Sequence, residues 1–271
     1  MTSFSELFGG GGGFELIQRD IFLTSGTWTK GADVLDTDTV VVDLWGGGSG
    51  GIYTNSITIM GTGGGGHNRL LLLSSAVTAS VTVVVGSGGA AGTQLNQTNP
   101  ASAAGPQKGG TSSFENYGYV TGGRYAYGGS FGGPSDYGYM PFIANTNPSY
   151  LSNGDKWRAS KSDDSFPFAA HSNHGGAVGD RNFSATSKWG GAGSIGGNGS
   201  SAVPRYGTSL YGGDSGSFGN NTGVDGSAGQ RPGGAGGTGF NTPAFDGGPG
   251  EARVYVVRGA IVDDEFIFEA V

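Results

Sequence analysis

The pattern of apolar and polar residues along the chain predicts several β-strands, and a period of two is the pattern of a strand with one buried face. The clearest case is Val77–Val85, in which valine or alanine occupies every odd-numbered position. Four further strands are predicted in stretches rich in Val, Ile, Thr and aromatic residues: Ile21–Thr29, Val34–Trp45, Ile52–Met60 and Arg69–Leu73. Near the C-terminus, Ala252–Val257 and Phe266–Phe268 have the same character. Because no segment has a long apolar stripe of helical period, very little helix is expected.

Between residues 86 and 250 the chain changes to glycine-rich segments that alternate with loops carrying Tyr, Trp, Phe and Pro. Glycine makes up 59 of the 271 residues, about three times its usual share of roughly 7%. The glycines follow a ten-residue repeat over 213–222, 223–232 and 233–242, in which the first, fourth and seventh positions are glycine. Residues 193–202 fit the same template, whereas residues 203–212 do not.

Glycine at every third position predicts extended left-handed helices of three residues per turn, as in polyglycine II, packed side by side. Such a helix makes no internal hydrogen bonds, so its backbone N–H and C=O groups must pair with adjacent helices. The ten-residue spacing predicts that successive repeats run up and down beside one another. Collagen is excluded because the triplets break every ten residues and the chain has only 10 prolines.

These patterns predict a mainly β protein in two parts. Residues 1–86 and the returning strands of residues 250–271 form a β-sandwich-like base. Residues 87–249 form an inserted glycine-rich lobe of polyglycine-II helices and long loops. The two termini then lie at the base, and the loops of the lobe lie at the opposite end.

Charge and composition argue against several classes of protein. The net charge is −7, and the 14 Lys and Arg residues form no cluster, so nucleic acid is not an expected partner. The chain has no cysteine, which excludes disulfides and thiolate metal sites. The first residues lack the features of a signal peptide, and Leu70–Val85 is interrupted by serines and shorter than the ~20 residues of a spanning helix. We therefore expect a protein made in the cytoplasm without a cleaved signal.

Two serine motifs are better explained by the glycine pattern than by catalysis. Gly213–Ser217, with the sequence GDSGS, is like the nucleophile segment of serine proteases, but it begins the ten-residue repeat. Gly47–Gly51 satisfies G-x-S-x-G, but no helix follows it to build a nucleophile elbow. An enzyme that degrades polysaccharide would need paired carboxylates, and distant pairs such as Asp155 with Asp163 stay open. We expect no enzyme activity and no cofactor.

His171 and His174, with Asp180 nearby, have a spacing that lets two imidazoles reach one metal ion. Because no third histidine is close in sequence, solvated or hydrogen-bonded loop residues are the favoured interpretation. The acidic turn of residues 33–38 lacks the glycine and the terminal Glu of a calcium loop. No metal site is therefore predicted.

Aromatic residues are the stronger functional signal. Tyrosine interleaved with Ser, Gly and Asn is the composition of loop-based binding surfaces, since it combines large rigid contacts with adaptable hydrogen bonds. The predicted receptor-binding residues are Tyr117, Tyr119, Tyr125, Tyr127, Tyr137, Tyr139, Tyr150, Trp157 and Phe166. The alternative is that these rings cap the ends of the glycine bundle and exclude water there. We expect part of the set to do so and the remainder to form the contact surface.

Parts of the chain resemble the glycine-rich tail-fibre proteins of bacteriophages: residues 22–51, residues 81–92 followed by 108–115, and residues 247–259. In the first of these, a Ser-Gly-Thr-Trp-Thr turn that contains Trp28 leads into a Val-rich strand ending at Trp45–Gly48. One departure is at Lys30–Asp33, where the family often has proline after the lysine.

The resemblance implies a non-enzymatic receptor-binding protein at the tip of the tail fibre. Its loops would contact a bacterial outer-membrane protein or surface glycan, and its other partners would be tail or fibre proteins of the virion, assembled in the host cytoplasm. Phe4, Leu7 and Phe8, which precede a glycine tether, are candidate virion-attachment residues. The oligomeric state stays open between a monomer and a homotrimer.

A second interpretation is a structural virion protein or an ice-binding type of polyglycine-II protein. A flat ice-binding face requires repeated Thr or Ala at equivalent positions. Asp214, Val224 and Gly234 occupy the same position of the ten-residue repeat, and this variation counts against an ice-binding face.

Overall fold

The computed structural model describes residues 15–54, 62–93, 105–123, 171–172, 186–187, 189–193, 207–220 and 226–259. The strands in these ranges are β1 (Glu15–Phe22), β2 (Gly26–Thr29), β3 (Thr39–Trp45), β4 (Tyr53–Thr54), β5 (His67–Leu73), β6 (Ser80–Val84), β7 (Ser112–Phe114), β8 (Gly118–Val120), β9 (His171–Ser172), β10 (Thr186–Ser187), β11 (Gly219–Asn220), β12 (Gly239–Phe240) and β13 (Glu251–Arg258). A turn of 3-10 helix, Ser74–Ala76, is the helical element of the described chain. No helix in those ranges is long and apolar enough to cross a membrane.

Two four-stranded antiparallel sheets carry most of the regular structure, which confirms the mainly β class. The first sheet has the strand order β1-β13-β3-β5, and the second has the order β2-β6-β7-β8. The predicted strand Ile21–Thr29 is divided between them, because β1 ends at Phe22 and β2 begins at Gly26 in the other sheet. The chain thus passes from the first sheet to the second between Phe22 and Gly26, and the sequence pattern does not predict this crossing.

The core lies between the two sheets and is built from alternate residues of the strands. On β3, Val40, Val42 and Leu44 point inward and are fully buried. Trp28 and Phe114 meet them from the second sheet, with ring centroids 5.7 Å apart. Burial of side chains of this size stabilises the fold by about 1.5–3 kcal/mol each, so this core is a main source of the stability of the sandwich.

Strands of both sheets continue directly into extended glycine-rich segments, which we call rods. Strands β3, β6 and β8 lead into the rods 46–51, 86–92 and 121–123, while the rods 62–66, 105–110 and 245–250 lead into β5, β7 and β13. Strands β7 and β8 belong to the second sheet, although the sequence division places residues 112–120 in the lobe. The boundary between sandwich and lobe therefore lies at the ends of these strands, where residues with side chains in the core are followed or preceded by glycine.

Rod 46–51 lies at the centre of the bundle and exchanges backbone hydrogen bonds with rods on all sides. The N–H groups of residues 46, 47 and 48 donate in turn to the rods 62–66, 105–110 and 245–250, at 3.0, 3.0 and 2.8 Å. Residues 49, 50 and 51 then donate to the same three rods in the same order. The carbonyl groups of rod 46–51 accept from three other rods, 86–92, 121–123 and 233–239. A return to the same neighbour every three residues is the periodicity of polyglycine II.

The ten-residue repeats follow the same geometry. Gly213, Gly216 and Gly219 donate to the carbonyls of residues 232, 235 and 238, so these two rods run in the same direction, in steps of three residues. The intervening rod 226–230 runs in the opposite direction, since residues 230 and 227 donate to the carbonyls of residues 214 and 217. The predicted up-and-down arrangement of successive repeats is confirmed.

The close approach of the rods explains why glycine is required. A Cβ added at Gly47 or Gly48 would lie 2.0 Å from a carbonyl oxygen of a neighbouring rod, and one added at Gly50 would lie 1.9 Å from the oxygen of Ala90. Real Cβ atoms do not approach backbone atoms this closely. In the central rod, the positions that a Cβ would occupy on Gly46, Gly47 and Gly48 face three different rods, whereas the sequence pattern alone predicts a single glycine row.

Candidate functional site

The direction of the rods places the connections between them at the end of the bundle away from the sandwich. Rods 46–51 and 86–92 leave the sandwich, and rods 62–66 and 105–110 return to it. In the repeat region, β11 and β12 lie beside β4 in a parallel three-stranded arrangement near the same far end. Segments inserted at this end are attached to rods whose backbones are hydrogen-bonded to neighbouring rods. The central rod 46–51 has six such neighbours.

The longest insertion, residues 124–185, begins and ends on rods that share a neighbour. A Cβ on Gly123 would lie 2.0 Å from the carbonyl oxygen of Gly63, and the N–H of Gly191 donates to the carbonyl of Gly65 at 2.8 Å. Both ends of the insertion are therefore held beside the rod 62–66. Of the insertion itself, the structure describes the backbone of His171–Ser172, which pairs in parallel with Thr186–Ser187.

Two of the predicted receptor-binding tyrosines lie on the sandwich. Tyr117 is partly buried against the core, its ring centroid is 5.8 Å from that of Phe114, and its hydroxyl accepts a hydrogen bond from the N–H of Thr78 at 3.0 Å. Tyr119, on β8, has 43% of its surface exposed. Tyr117 therefore has a packing role, whereas Tyr119 presents its ring to solvent.

The other predicted site residues lie outside the described ranges. These are the receptor-binding candidates Tyr125, Tyr127, Tyr137, Tyr139, Tyr150, Trp157 and Phe166, the virion-attachment candidates Phe4, Leu7 and Phe8, and the histidine His174. The structure neither brings them together nor separates them, and their roles stay predictions.

The serine motif of the repeat is part of the framework. Ser215 is buried in the rod that begins at Gly213, where its hydroxyl accepts from the N–H of Gly207 at 2.6 Å. The carboxylate of Asp214 accepts from the N–H of Ser209 at 2.8 Å. These contacts give both side chains a structural role in holding the turn 207–213 against the rod.

The lobe packs onto the outer face of the first sheet through a stack of rings. The ring of His67 lies between Trp45, at 4.7 Å, and Trp189, at 5.4 Å and nearly parallel. Trp189 in turn stacks on Tyr211 at 4.5 Å, and the indole Nε1 of Trp45 donates to the carbonyl of Trp189 at 2.6 Å. Trp45, His67, Arg69, Trp189 and Tyr211 are together called the joint.

Charged residues lie beside the rings of the joint, where Asp43 and His67 are buried and the side chains of Arg69 and Arg253 are 15% exposed. Asp43 accepts from His67 Nε2 at 2.8 Å and from Arg69 through both of its oxygens, each at 2.8 Å. The guanidinium of Arg69 lies 5.1 Å from the Trp189 ring centroid, and that of Arg253 lies 4.8 Å from the Trp45 ring centroid. Arg253 is also paired with Glu251 at 2.6 Å. The acidic and basic groups of the cluster therefore balance.

The protonation states follow from burial and from these pairs. Burial lowers the pKa of His67 below its ordinary value of 6.5, and Arg69 and Arg253 act in the same direction against the opposing effect of Asp43. Burial by itself would raise the pKa of Asp43, but hydrogen bonds from His67 and Arg69 outweigh it and lower that pKa. The folded joint thus contains a neutral imidazole beside an ionised carboxylate.

Sequence reasoning missed the joint entirely. Two signals were present: Asp43 is the charged residue within a Val-rich strand, and His67 opens β5 directly after a run of glycine. A polar residue in a strand that is buried on both faces indicates a partner, but the sequence does not show that the partner ring, Trp189, comes from the lobe.

The arrangement docks two parts of the chain against each other. Among the described residues, no group of three His, Cys, Asp or Glu side chains is placed to hold a metal ion. In the acidic turn, the carboxylate of Asp38 is paired with Arg258. The Nε and Nη2 of Arg258 donate to the two oxygens of this carboxylate at 3.0 Å each.

Comparison with known proteins agrees with the architecture of the chain. No curated protein matches the sequence. A family model described as a glycine-rich domain (Gly_rich_2) matches residues 22–258, from the end of β1 to the end of β13. The match therefore includes both sheets and the rods that join them, and the chain belongs to this glycine-rich domain family.

Proposed function

We propose that this protein is a bacteriophage tail-fibre tip protein that binds a bacterial surface receptor. The observation that carries the proposal is the continuity of the sandwich strands with the glycine rods, which fixes the far end of the bundle as a support for inserted segments. A binding surface gains affinity when its supports are ordered beforehand, because less conformational entropy is lost on association.

The composition of the longest insertion supports the same function. Residues 124–185 are rich in Tyr, Gly, Ser and Asn, and they include Trp157 and Phe166. Such segments combine aromatic contact area with adaptable hydrogen bonding. Of the two tyrosines placed by the structure, Tyr119 remains a candidate contact residue because of its exposure.

The proposal is tested by binding of the purified protein to candidate host cells. We expect saturable binding that competes with virion adsorption. The double variant Tyr137→Ala/Tyr139→Ala is expected to lose this binding while its circular dichroism spectrum is unchanged. The matched control Lys108→Ala alters an exposed side chain on the rod 105–110 and should bind normally. No binding across a broad host panel would contradict the proposal and favour a structural role.

The ice-binding alternative is weakened by the surface of the bundle. Ser87, Ala90 and Thr93 form an exposed row at three-residue spacing, as a regular face requires. However, the rods on either side of this row carry the exposed charged residues Lys108 and Asp246. An assay of ice-growth inhibition separates the two functions, and activity there without binding to cells would favour the alternative.

Attachment to the virion is proposed to use the segment that contains Phe4, Leu7 and Phe8. Deletion of residues 1–13 is expected to abolish incorporation into particles and to leave binding of the purified protein to cells intact. Normal incorporation of the deleted protein would show that the attachment surface lies elsewhere.

A further inference from the structure

The joint holds the point at which the long insertion rejoins the bundle. Trp189 follows directly after the end of this insertion, and 6% of its surface is exposed. Its carbonyl and its ring are both bound by the sandwich, through Trp45 Nε1 and through the ring of His67. The turn 207–213 is attached to the same place, because the Ser209 hydroxyl donates to the carbonyl of Gly190 at 2.7 Å and Tyr211 stacks on Trp189.

His67 is the titratable group at the centre of these contacts. Among the described residues, the charged groups that face it are Asp43 on β3, Arg69 on its own strand β5, and Arg253 with Glu251 on β13. The lobe side of the joint presents the uncharged rings of Trp189 and Tyr211. A second proton on the imidazole would therefore place a further cation in a buried site whose two carboxylates are already paired with two guanidinium groups.

We infer that His67 acts as a pH-sensitive latch that holds the lobe segments 189–193 and 207–213 on the sandwich at neutral pH and releases them in acid. The neutral ring fits between Trp45 and Trp189 and donates to Asp43. A protonated ring is hydrated far better in the open form than in the closed one, because burial of a charge carries a large desolvation cost.

The direction of the pH effect follows from linkage. The open form takes up a proton near the ordinary histidine pKa of 6.5, whereas burial lowers the pKa of His67 in the closed form. The closed form is therefore fully favoured above about pH 6.5 and loses its advantage as the pH falls below that value. Each unit by which closure depresses the pKa corresponds to about a tenfold loss in the ratio of closed to open protein.

The experiment is hydrogen–deuterium exchange of the full chain between pH 7.5 and pH 5, with rates corrected for intrinsic exchange. We expect amides of residues 189–193 and 207–213 to lose about tenfold or more of their protection, while strand β6 in the core stays protected. The variant His67→Gln, which keeps a donor for Asp43 without titrating, should show no such loss. The matched control His171→Gln should respond to acid like the unaltered protein.

Equal loss of protection in the His67→Gln variant would overturn the proposal, as would unchanged protection in the unaltered protein. If the His67→Gln variant does not fold, nuclear magnetic resonance of the histidine ring protons decides the matter, since the chain has only 3 histidines. The proposed latch predicts that the ring signals of one histidine titrate over the same pH range in which the Trp189 indole signal changes. Titration of every ring at the ordinary pKa, with the indole signal unchanged, would contradict it.

Discussion

Single glycine residues in the central rod determine whether the bundle can form. Each of these residues has a carbonyl group of another rod where a Cβ would be, so no side-chain rotamer relieves the clash. Ser49 is the exception in rod 46–51, and its hydroxyl donates to the carbonyl of Gly63 at 3.0 Å. The requirement for glycine is thus set by the distance between neighbouring backbones and not by unusual torsion angles.

Gly50→Ala is expected to destabilise the protein by roughly 1–3 kcal/mol or more, the usual cost of forcing extra atoms into a packed interior. The control is Gly92→Ala, because a Cβ there meets its nearest atom at 3.4 Å, an ordinary contact. Urea unfolding followed by tryptophan fluorescence measures both. Equal stability of the two variants would show that the rods separate at little cost.

Asp38 provides a second prediction for a single side chain. The hydrogen bond from Arg258, opposed by burial, lowers the pKa of Asp38 below its ordinary value of 3.8. The stability that this pair contributes is therefore complete above about pH 3.8 and is lost as the pH falls below that value.

Asp38→Asn is expected to flatten the acid limb of the stability curve below about pH 4 and to lower stability at pH 7. The control Asp36→Asn changes a carboxylate two residues away. Urea midpoints measured from pH 7 to pH 2.5 test the prediction, and an unchanged acid limb in the Asp38 variant would contradict it.

At the scale of elements, the interactions that stabilise the chain change where a strand continues into a rod. As far as Trp45, β3 combines backbone pairing to β13 and β5 with buried side chains, and from Gly46 onward the chain is held by backbone hydrogen bonds to several rods at once. Alternation predicted β6, whereas a composition typical of strands predicted most of β3, β5 and β13. The short strands β4, β11 and β12 carry no such pattern, since only their backbones pair.

The candidate site, like the fold, was predicted from the sequence only in part. Composition indicated an aromatic binding surface, and of its members the structure places Tyr117 in packing contact with the core and leaves Tyr119 exposed. The joint was not predictable, because its partners are separated by 144 residues along the chain, as in the bond from Trp45 to Trp189. No local pattern couples positions so far apart.

At the scale of the whole molecule, sandwich and lobe share strands and therefore share their stability. The described rods of the lobe bury few large apolar side chains, and they are ordered by neighbours that the sandwich holds in place. Loss of the core would remove the fixed ends of those rods, and separation of the rods would leave buried backbone groups without partners.

We expect the described parts of the chain to unfold in a single transition at neutral pH. Trp28 reports on the sandwich core and Trp189 on the lobe, so the variants Trp28→Phe and Trp189→Phe allow the two regions to be followed separately in urea. Coincident midpoints and slopes for both probes are the expected result. Two well-separated transitions would show that the lobe is stable independently of the sandwich.

The sequence by itself predicted most of β3, β5, β6 and β13 and the up-and-down rods of the ten-residue repeat, because strand composition, alternation and glycine spacing are local patterns. Only the tertiary structure decided that rod 46–51 is central, which rods surround it, and that His67 meets Asp43 and Trp189. The physical reason is that an extended rod makes none of its hydrogen bonds within itself. Each of its N–H and C=O groups is satisfied by another part of the chain, and the identity of that part is a property of the assembled fold.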